Sequence, residues 1–122
     1  MATSISFLRV PDILKTIKWY ENIGFKCIGT HQEPGCELDW ALLDWQGAKF
    51  MLYPEGREDR KKIKDGGLYF TVEAIDDIIK NIEEKGEIIE INPKSEYGMK
   101  EIVLKDINGF QITFGCNADN QL

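Results

Sequence analysis

One offset organises this chain: residues 62 positions apart repeat one another from its first strand-like segment to its last. Leu8 falls on Phe70, Val10 on Val72, Ile13 on Ile75, Ile17 on Ile79, Tyr20 on Ile82 and Gly24 on Gly86. Further along, Leu42 falls on Leu104, Asp44 on Asp106, Gln46-Gly47 on Asn108-Gly109, Phe50 on Ile112 and Leu52 on Phe114. No net insertion breaks the offset. The halves therefore read as two copies of one module, and a repeat of this kind constrains the architecture before any local pattern is considered.

Within the first copy, residues 5–10 alternate as a strand and lead to Pro11-Asp12, where Asp12 is suited to cap a helix. Ile13, Ile17 and Tyr20 recur at helical spacing, and Gly24 is a fitting stop. Residues 25–32 read as a second strand, and 38–43 with 48–53 as a hairpin. The second copy repeats the plan with a strand at 68–72, a helix at 75–85 ending at Gly86, a strand at 87–91, and a hairpin around Asp106-Ile107-Asn108-Gly109. There Gly109 is expected to take the positive φ that closes the turn. The predicted fold is α+β, two tandem β-α-β-β-β modules, 1–55 and 67–116, joined by a charged linker 56–66 within a single domain 1–122. Each module alone is short enough to be a marginal folder, so a shared core is expected.

Alternation also assigns faces. Leu8, Val10, Phe50, Leu52, Phe70, Val72, Ile112 and Phe114 belong on the side of each sheet that its helix covers. The other side receives Phe7, Arg9, Met51, Tyr53, Tyr69 and Thr113. For the inner strand of each hairpin the loop decides: a three-residue loop with a Gly bulge pairs Ala41 with Met51 and Val103 with Thr113. That adds Asp39, Ala41, Glu101 and Val103 to the outward set and leaves Trp40, Leu42, Ile102 and Leu104 in the core. A two-residue loop would instead turn Trp40 and Leu42 outward. The three-residue loop is the expectation carried forward.

A formal charge of −6 and a pI near 4.8 argue against a nucleic-acid partner, which calls for a basic stripe. The basic run REDRKKIK is interleaved with Glu58 and Asp59 at the seam between the copies, and it reads as a solvated linker. The three cysteines have no close spacing, which suggests neither a disulfide framework nor a zinc knuckle. No apolar run approaches the roughly 20 residues of a membrane span, and the start of the chain lacks a signal-peptide pattern. A cytoplasmic location is expected.

The motifs V-P-D before the first helix, W-Y-x-x-x-G-F at its end, Y-G-M-K-E, and D-x-N-G-x-x-I-T-F-G together resemble the vicinal oxygen chelate superfamily, most closely its glyoxalase and bleomycin-resistance branch. The resemblance covers essentially the whole chain. It implies two curved mixed sheets around a cavity and, in the enzymes, a divalent metal held by four side chains from the opening and closing strands. Those positions fall on Ile5, Met51, Gly67 and Thr113. None is a strong ligand for Zn²⁺, Ni²⁺ or Mg²⁺, so neither a metal nor another cofactor is expected, and metal-dependent glyoxalase or dioxygenase activity is not carried over. His31 stands outside this register and reads as a surface residue.

What the resemblance implies instead is a drug-sequestering protein whose small organic ligand, aromatic or amphipathic, meets Phe7, Arg9, Asp39, Met51, Tyr53, Tyr69, Glu101, Val103 and Thr113. Two other readings stay open. A metal-independent isomerase or lyase would use Glu101, with Asp39 at the equivalent repeat position, as acid and base. A structural or regulatory dimer would have these side chains simply plug the space. Trp19 lies off the Ile13–Ile17–Tyr20 stripe and needs cover, which with the family's pairing of modules predicts a homodimer.

Overall fold

In the computed structural model, which describes residues 1–56, 64–85 and 88–118, Asp12 does start the first helix. Its Oδ1 accepts a hydrogen bond from the Lys15 amide at 3.0 Å, between strand β1 (Ser6–Val10) and helix α1 (Ile13–Asn22). Gly24, at φ +115°, takes the chain out of the helix. It then passes into β2 (Lys26–Gln32), β3 (Leu38–Trp45) and β4 (Ala48–Pro54). The second copy follows as β5 (Gly67–Thr71), α2 (Ile75–Glu83), β6 (Ile88–Asn92), β7 (Met99–Lys105) and β8 (Gln111–Asn117). The chain divides into two compact units, Met1–Ile63 and Lys64–Leu122. The expected stop at Gly86, the start of a strand at 87 and linker residues 57–63 lie outside the described residues.

Each unit contains one four-stranded mixed sheet, ordered β1-β4-β3-β2 in the first and β5-β8-β7-β6 in the second. The opening strand runs parallel to the closing one and the remaining pairs are antiparallel. This is the expected α+β architecture of two tandem β-α-β-β-β modules. One helix covers one face of each sheet. In the first unit the core beneath α1 is aromatic: Tyr20, Phe25 and Phe50 are at most 3% exposed, with ring centroids 5.0–5.7 Å apart, and Trp45 lies 5.0 Å from Phe25. In the second it is mainly aliphatic, with Ile75, Ile82, Ile102, Leu104 and Ile112 fully buried beside a stacked Phe70–Phe114 pair. Full burial of one such side chain contributes about 1.5–3 kcal/mol, so these two clusters dominate the stability of their units.

The parallel pairs obey the repeat. Phe7 faces Met51 as Tyr69 faces Thr113, and Leu8 faces Leu52 as Phe70 faces Phe114. The hairpins do not. In the second unit Val103 pairs with Thr113 as expected, and the loop closes through the Asp106 amide to the Phe110 carbonyl at 2.9 Å. Asp106 is 6% exposed and its Oδ1 accepts from the amides of Asn108 (2.8 Å) and Phe110 (2.9 Å), with Gly109 at φ +96°. In the first unit the expectation is corrected: Ala41 pairs with Leu52 and Leu42 with Met51. Gln46 and Gly47 form a two-residue loop with φ +48° and +96°, the signature of a primed turn.

The physical reason for the slip is Trp45. The inward set is Ala41, Leu43 and Trp45, and Trp45 packs so closely on Gly24 that a β-carbon there would meet its ring at 2.8 Å. The matching set in the second unit would include Val103 and Lys105, and an ammonium cannot take Leu43's place in a dry core. Asp44 meanwhile pairs with Lys49 at 3.3 Å rather than organising a loop as Asp106 does.

Candidate functional site

The uncovered face of each sheet carries the side chains that alternation turns away from the helix. In the first unit these include Phe7, Arg9, Met51 and Tyr53, brought together by the β1–β4 ladder. The Phe7 and Tyr53 rings meet edge to face with centroids 5.4 Å apart. The Arg9 guanidinium carbon stands 5.5 Å from one ring centroid and 5.8 Å from the other, and its Nη1 donates to the Pro54 carbonyl at 3.4 Å. A cation held over two rings, one of them 51% exposed, gives a surface for flat π-systems and for anionic substituents.

The register slip adds Trp40 and Leu42 to this face and takes Ala41, fully buried under α1, away from it. Asp39 does not join the set either. It is the extra residue of a bulge opposite His31 and Gln32, and its Oδ1 is 2.7 Å from His31 Nδ1. That contact, the Asp39 charge and the more distant Glu33 raise the imidazole above its ordinary 6.5. His31, Glu33 and Asp39 are the one trio of such groups among the described residues with ligand atoms within 4.8 Å of one another.

In the second unit the face is polar. Glu101, only 7% exposed, accepts a 2.6 Å hydrogen bond from the Tyr97 hydroxyl, and the Tyr69 hydroxyl lies close enough to respond to the same carboxylate. A carboxylate so withdrawn from water needs a donor, and the Tyr97 phenol supplies one. The phenols respond in turn: burial and the Glu101 carboxylate push the Tyr69 hydroxyl far above its usual range, and the bond to Glu101 raises Tyr97. Both are proton donors at any physiological pH. Gly115 makes room, since a β-carbon there would overlap the Tyr69 hydroxyl. Val103 and Thr113 pair alongside, and a depression of about 340 Å³ beside Tyr69 is lined by Gln111, Thr113 and residues 65–68.

Of the residues singled out in the sequence, Phe7, Arg9, Met51 and Tyr53 thus share one face, and Tyr69, Glu101, Val103 and Thr113 another. Tyr97, in the sequence only the first letter of the Y-G-M-K-E motif, joins the second face as well. The signal that could have placed it is local: Gly98 at φ +81°, the Ser95 amide donating to the Met99 carbonyl and the Met99 amide donating to Ser95 Oγ fold the loop back over β7, four residues from Glu101.

The positions of a family metal do not fit one. Ile5 offers hydrocarbon, Met51 a thioether and Thr113 a hydroxyl, and no side chain can be placed at Gly67, where a β-carbon would fall on the Gln111 carbonyl. No mechanistic step is derived through a metal there.

No curated protein matches the chain. Among solved structures, a glyoxalase-related enzyme from Clostridium phytofermentans superposes with a TM-score of 0.78 at 22% identity, covering 96% of this chain and 95% of its own. A bleomycin-binding protein complexed with bleomycin gives 0.75 at 14% identity, with 96% and 99% covered. TnmS3, an antibiotic-binding protein from Streptomyces sp. CB03234, gives 0.69 at 16% identity, with 95% and 97% covered. These likenesses show the shared fold, down to the two repeated modules. A sequence model of the superfamily matches residues 3–114, from before β1 into β8, and the chain belongs to the Glyoxalase/Bleomycin resistance protein/Dioxygenase superfamily.

Proposed function

We propose that this protein binds and sequesters a small planar, amphipathic organic molecule without the help of a metal. The observation that carries the proposal is the Arg9–Phe7–Tyr53 cluster: large rings left on an uncovered sheet face beside a guanidinium are an unfavourable use of surface unless something stacks on them. The recess beside Tyr69, which Gln111 and Thr113 line with polar groups, supports it by offering directed contacts. Relatives of the same fold that bind bleomycin or other antibiotics give the ligand class its precedent.

Catalysis by Glu101 as acid and base in a metal-independent isomerase or lyase is the weaker reading. Its carboxylate is only 7% exposed and bonded to the Tyr97 hydroxyl, which leaves little surface on which a substrate could meet it. The protein acts as a cytoplasmic homodimer in this proposal, with half-buried Trp19, stacked edge-on to Tyr20 at 4.9 Å, toward the partner. Light scattering at micromolar concentration is expected to give twice the chain mass.

The test is a thermal-shift screen of glycopeptide antibiotics and aromatic metabolites, followed by calorimetric titration of any hit. Phe7→Ala and Tyr69→Ala are each expected to weaken binding at least tenfold while leaving the fold intact, since a stacked ring contributes about 1 kcal/mol beyond the area it buries. A hit that binds both variants as tightly as the parent sinks the assignment.

A further inference from the structure

On the ring-bearing face of the first sheet the charge of Arg9 is left unanswered. Lys49 of β4 has Asp44 at 3.3 Å, and Asp39 has His31 at 2.7 Å. Among the described residues no carboxylate stands within ion-pair distance of Arg9, and the contact its N–H groups make is to the Pro54 carbonyl at 3.4 Å, longer than an ordinary N–H···O bond. In a chain with 21 acidic and 15 basic residues an exposed guanidinium meets carboxylates easily, so its isolation reflects where the sheet puts it. The β1–β4 register sets Arg9 opposite Tyr53, two residues along the strand from Phe7, and lays the guanidinium carbon 5.5 and 5.8 Å from the two ring centroids.

A guanidinium held there presents its fork of N–H donors to whatever lies on the rings. A carboxylate is the acceptor that matches the fork, because it takes two parallel N–H bonds and the opposite charge at once. A cation is repelled, and a neutral group leaves most of the donors to water. The 5.5 Å between guanidinium and ring centroid also sets the reach: the acid belongs on the ligand's ring system or next to it. One guanidinium on a chain of net charge −6 is too little for a polyanion such as nucleic acid, so the anion is small. The second unit offers no equivalent, since the described lining of the recess beside Tyr69 includes Asp65 and no lysine or arginine.

We infer that the ligand of this face is a flat aromatic acid whose carboxylate is received by Arg9. The inference rests on the reading of the Arg9–Phe7–Tyr53 cluster as the ligand site and adds the sign of the ligand's charge. The probes are 2-naphthoate, its neutral match 2-naphthamide and the cation 2-naphthylmethylammonium, titrated into the full chain at neutral pH and followed by two-dimensional amide NMR. The carboxylate is expected to shift Phe7, Arg9 and Tyr53 and to bind about fivefold more tightly than the carboxamide, the factor a charge-assisted contact gives at an accessible site, with the ammonium weakest of the three. Added salt is expected to narrow the gap. Arg9→Gln, at an exposed position whose replacement leaves the core untouched, is expected to bring the ratio of carboxylate to carboxamide affinity down to about one. Equal affinities of carboxylate and carboxamide at Phe7 and Tyr53 overturn the inference and leave the ring face standing as a ligand site. So does an Arg9→Gln variant that keeps the parent's ratio. If the carboxylate shifts none of these residues while the carboxamide or the ammonium does, the inference alone falls, and if no probe shifts them, the ring-face reading falls with it.

Discussion

The uncovered face of the first sheet presents Phe7, Tyr53, Met51, Leu42 and Trp40 with a guanidinium over the rings, whereas that of the second presents hydroxyls gathered around a carboxylate. The two faces rest on the same backbone ladder, since the β1–β4 and β5–β8 registers coincide under the repeat. Their chemistry diverges at two kinds of place. Some differences are substitutions at matched positions, such as Phe7 against Tyr69 and Tyr53 against Gly115. Another arises from the one-residue hairpin slip, which sets Trp40, not Asp39, in the structural place of Glu101. A repeated module can thus acquire a new polar group without altering its opening and closing strands, because the inner strand is free to shift its register.

The sharpest contrast concerns Gly67 and its repeat partner Ile5. A β-carbon at Gly67 would meet the main-chain carbonyl of Gln111, which cannot rotate aside. Gly67→Ala is therefore expected to destabilise the protein by about 3 kcal/mol in urea unfolding, at the upper end of overpacking costs. Ile5→Ala, at a position 42% exposed, is expected to cost less than about 0.5 kcal/mol. Equal midpoints for the two variants would show that β5 has slack against β8 that the packing denies.

Next in size is the carboxylate. Glu101→Ala removes the acceptor of the 2.6 Å bond from Tyr97 and empties a position that is only 7% exposed, so it is expected to lower the urea midpoint, though by less than Gly67→Ala. Trp40→Ala on the first sheet removes packing against Gly29 instead, where a β-carbon would meet the indole at 3.1 Å. A double variant of Glu101→Ala with Tyr97→Phe should be less than additive, because each change removes the same hydrogen bond. Full additivity would mean that the 2.6 Å contact contributes nothing in solution.

Much of this plan is legible in the sequence, and the parts that are not share a cause. The repeat, the element order and the helix caps are local or periodic, so Asp12, Gly24 and the Phe50–Leu52 alternation disclose them directly. The run Trp40-Ala41-Leu42-Leu43 is apolar in both parities, so its face cannot be chosen by alternation. Trp45 chooses it by packing over Gly24, a contact between residues 21 positions apart. Tyr97 is similar: its value lies in reaching Glu101 across a turn, beyond what strand periodicity reports.

The tyrosine–carboxylate group also sets an alkaline limit on the second unit. Tyr69 and Tyr97 hold their protons to higher pH in the folded chain than in the unfolded one, where they ionise near 10.0. Above that pH the unfolded chain binds fewer protons, so the stabilisation, complete below it, is lost as pH rises through the folded values. Tyrosinate absorbance is expected to show Tyr69 and Tyr97 titrating above their ordinary range, and Glu101→Gln to move their signal back down in pH.

The smallest effect separates the two sheets at the residue just before Trp40 and Glu101. There the first sheet has Asp39, bonded to His31 on the neighbouring strand at 2.7 Å, and the second has Lys100, bonded to Asp76 of α2 at 2.7 Å. Both pairs are solvent-accessible, so each is weak and screened by salt. The histidine pair nevertheless has a clean reporter, because His31 is the only histidine in the chain. Its imidazole is raised above 6.5 by the hydrogen bond to Asp39, by the charge of that carboxylate and by Glu33. Stability from the pair is therefore full below 6.5 and fades as pH climbs through the folded value. A proton NMR titration of the imidazole is expected to give a midpoint above 6.5, and Asp39→Asn should lower it while moving the melting temperature hardly at all. An unchanged midpoint in that variant would remove Asp39 as the cause and, with it, the bulge geometry that keeps this carboxylate off the ring-bearing face.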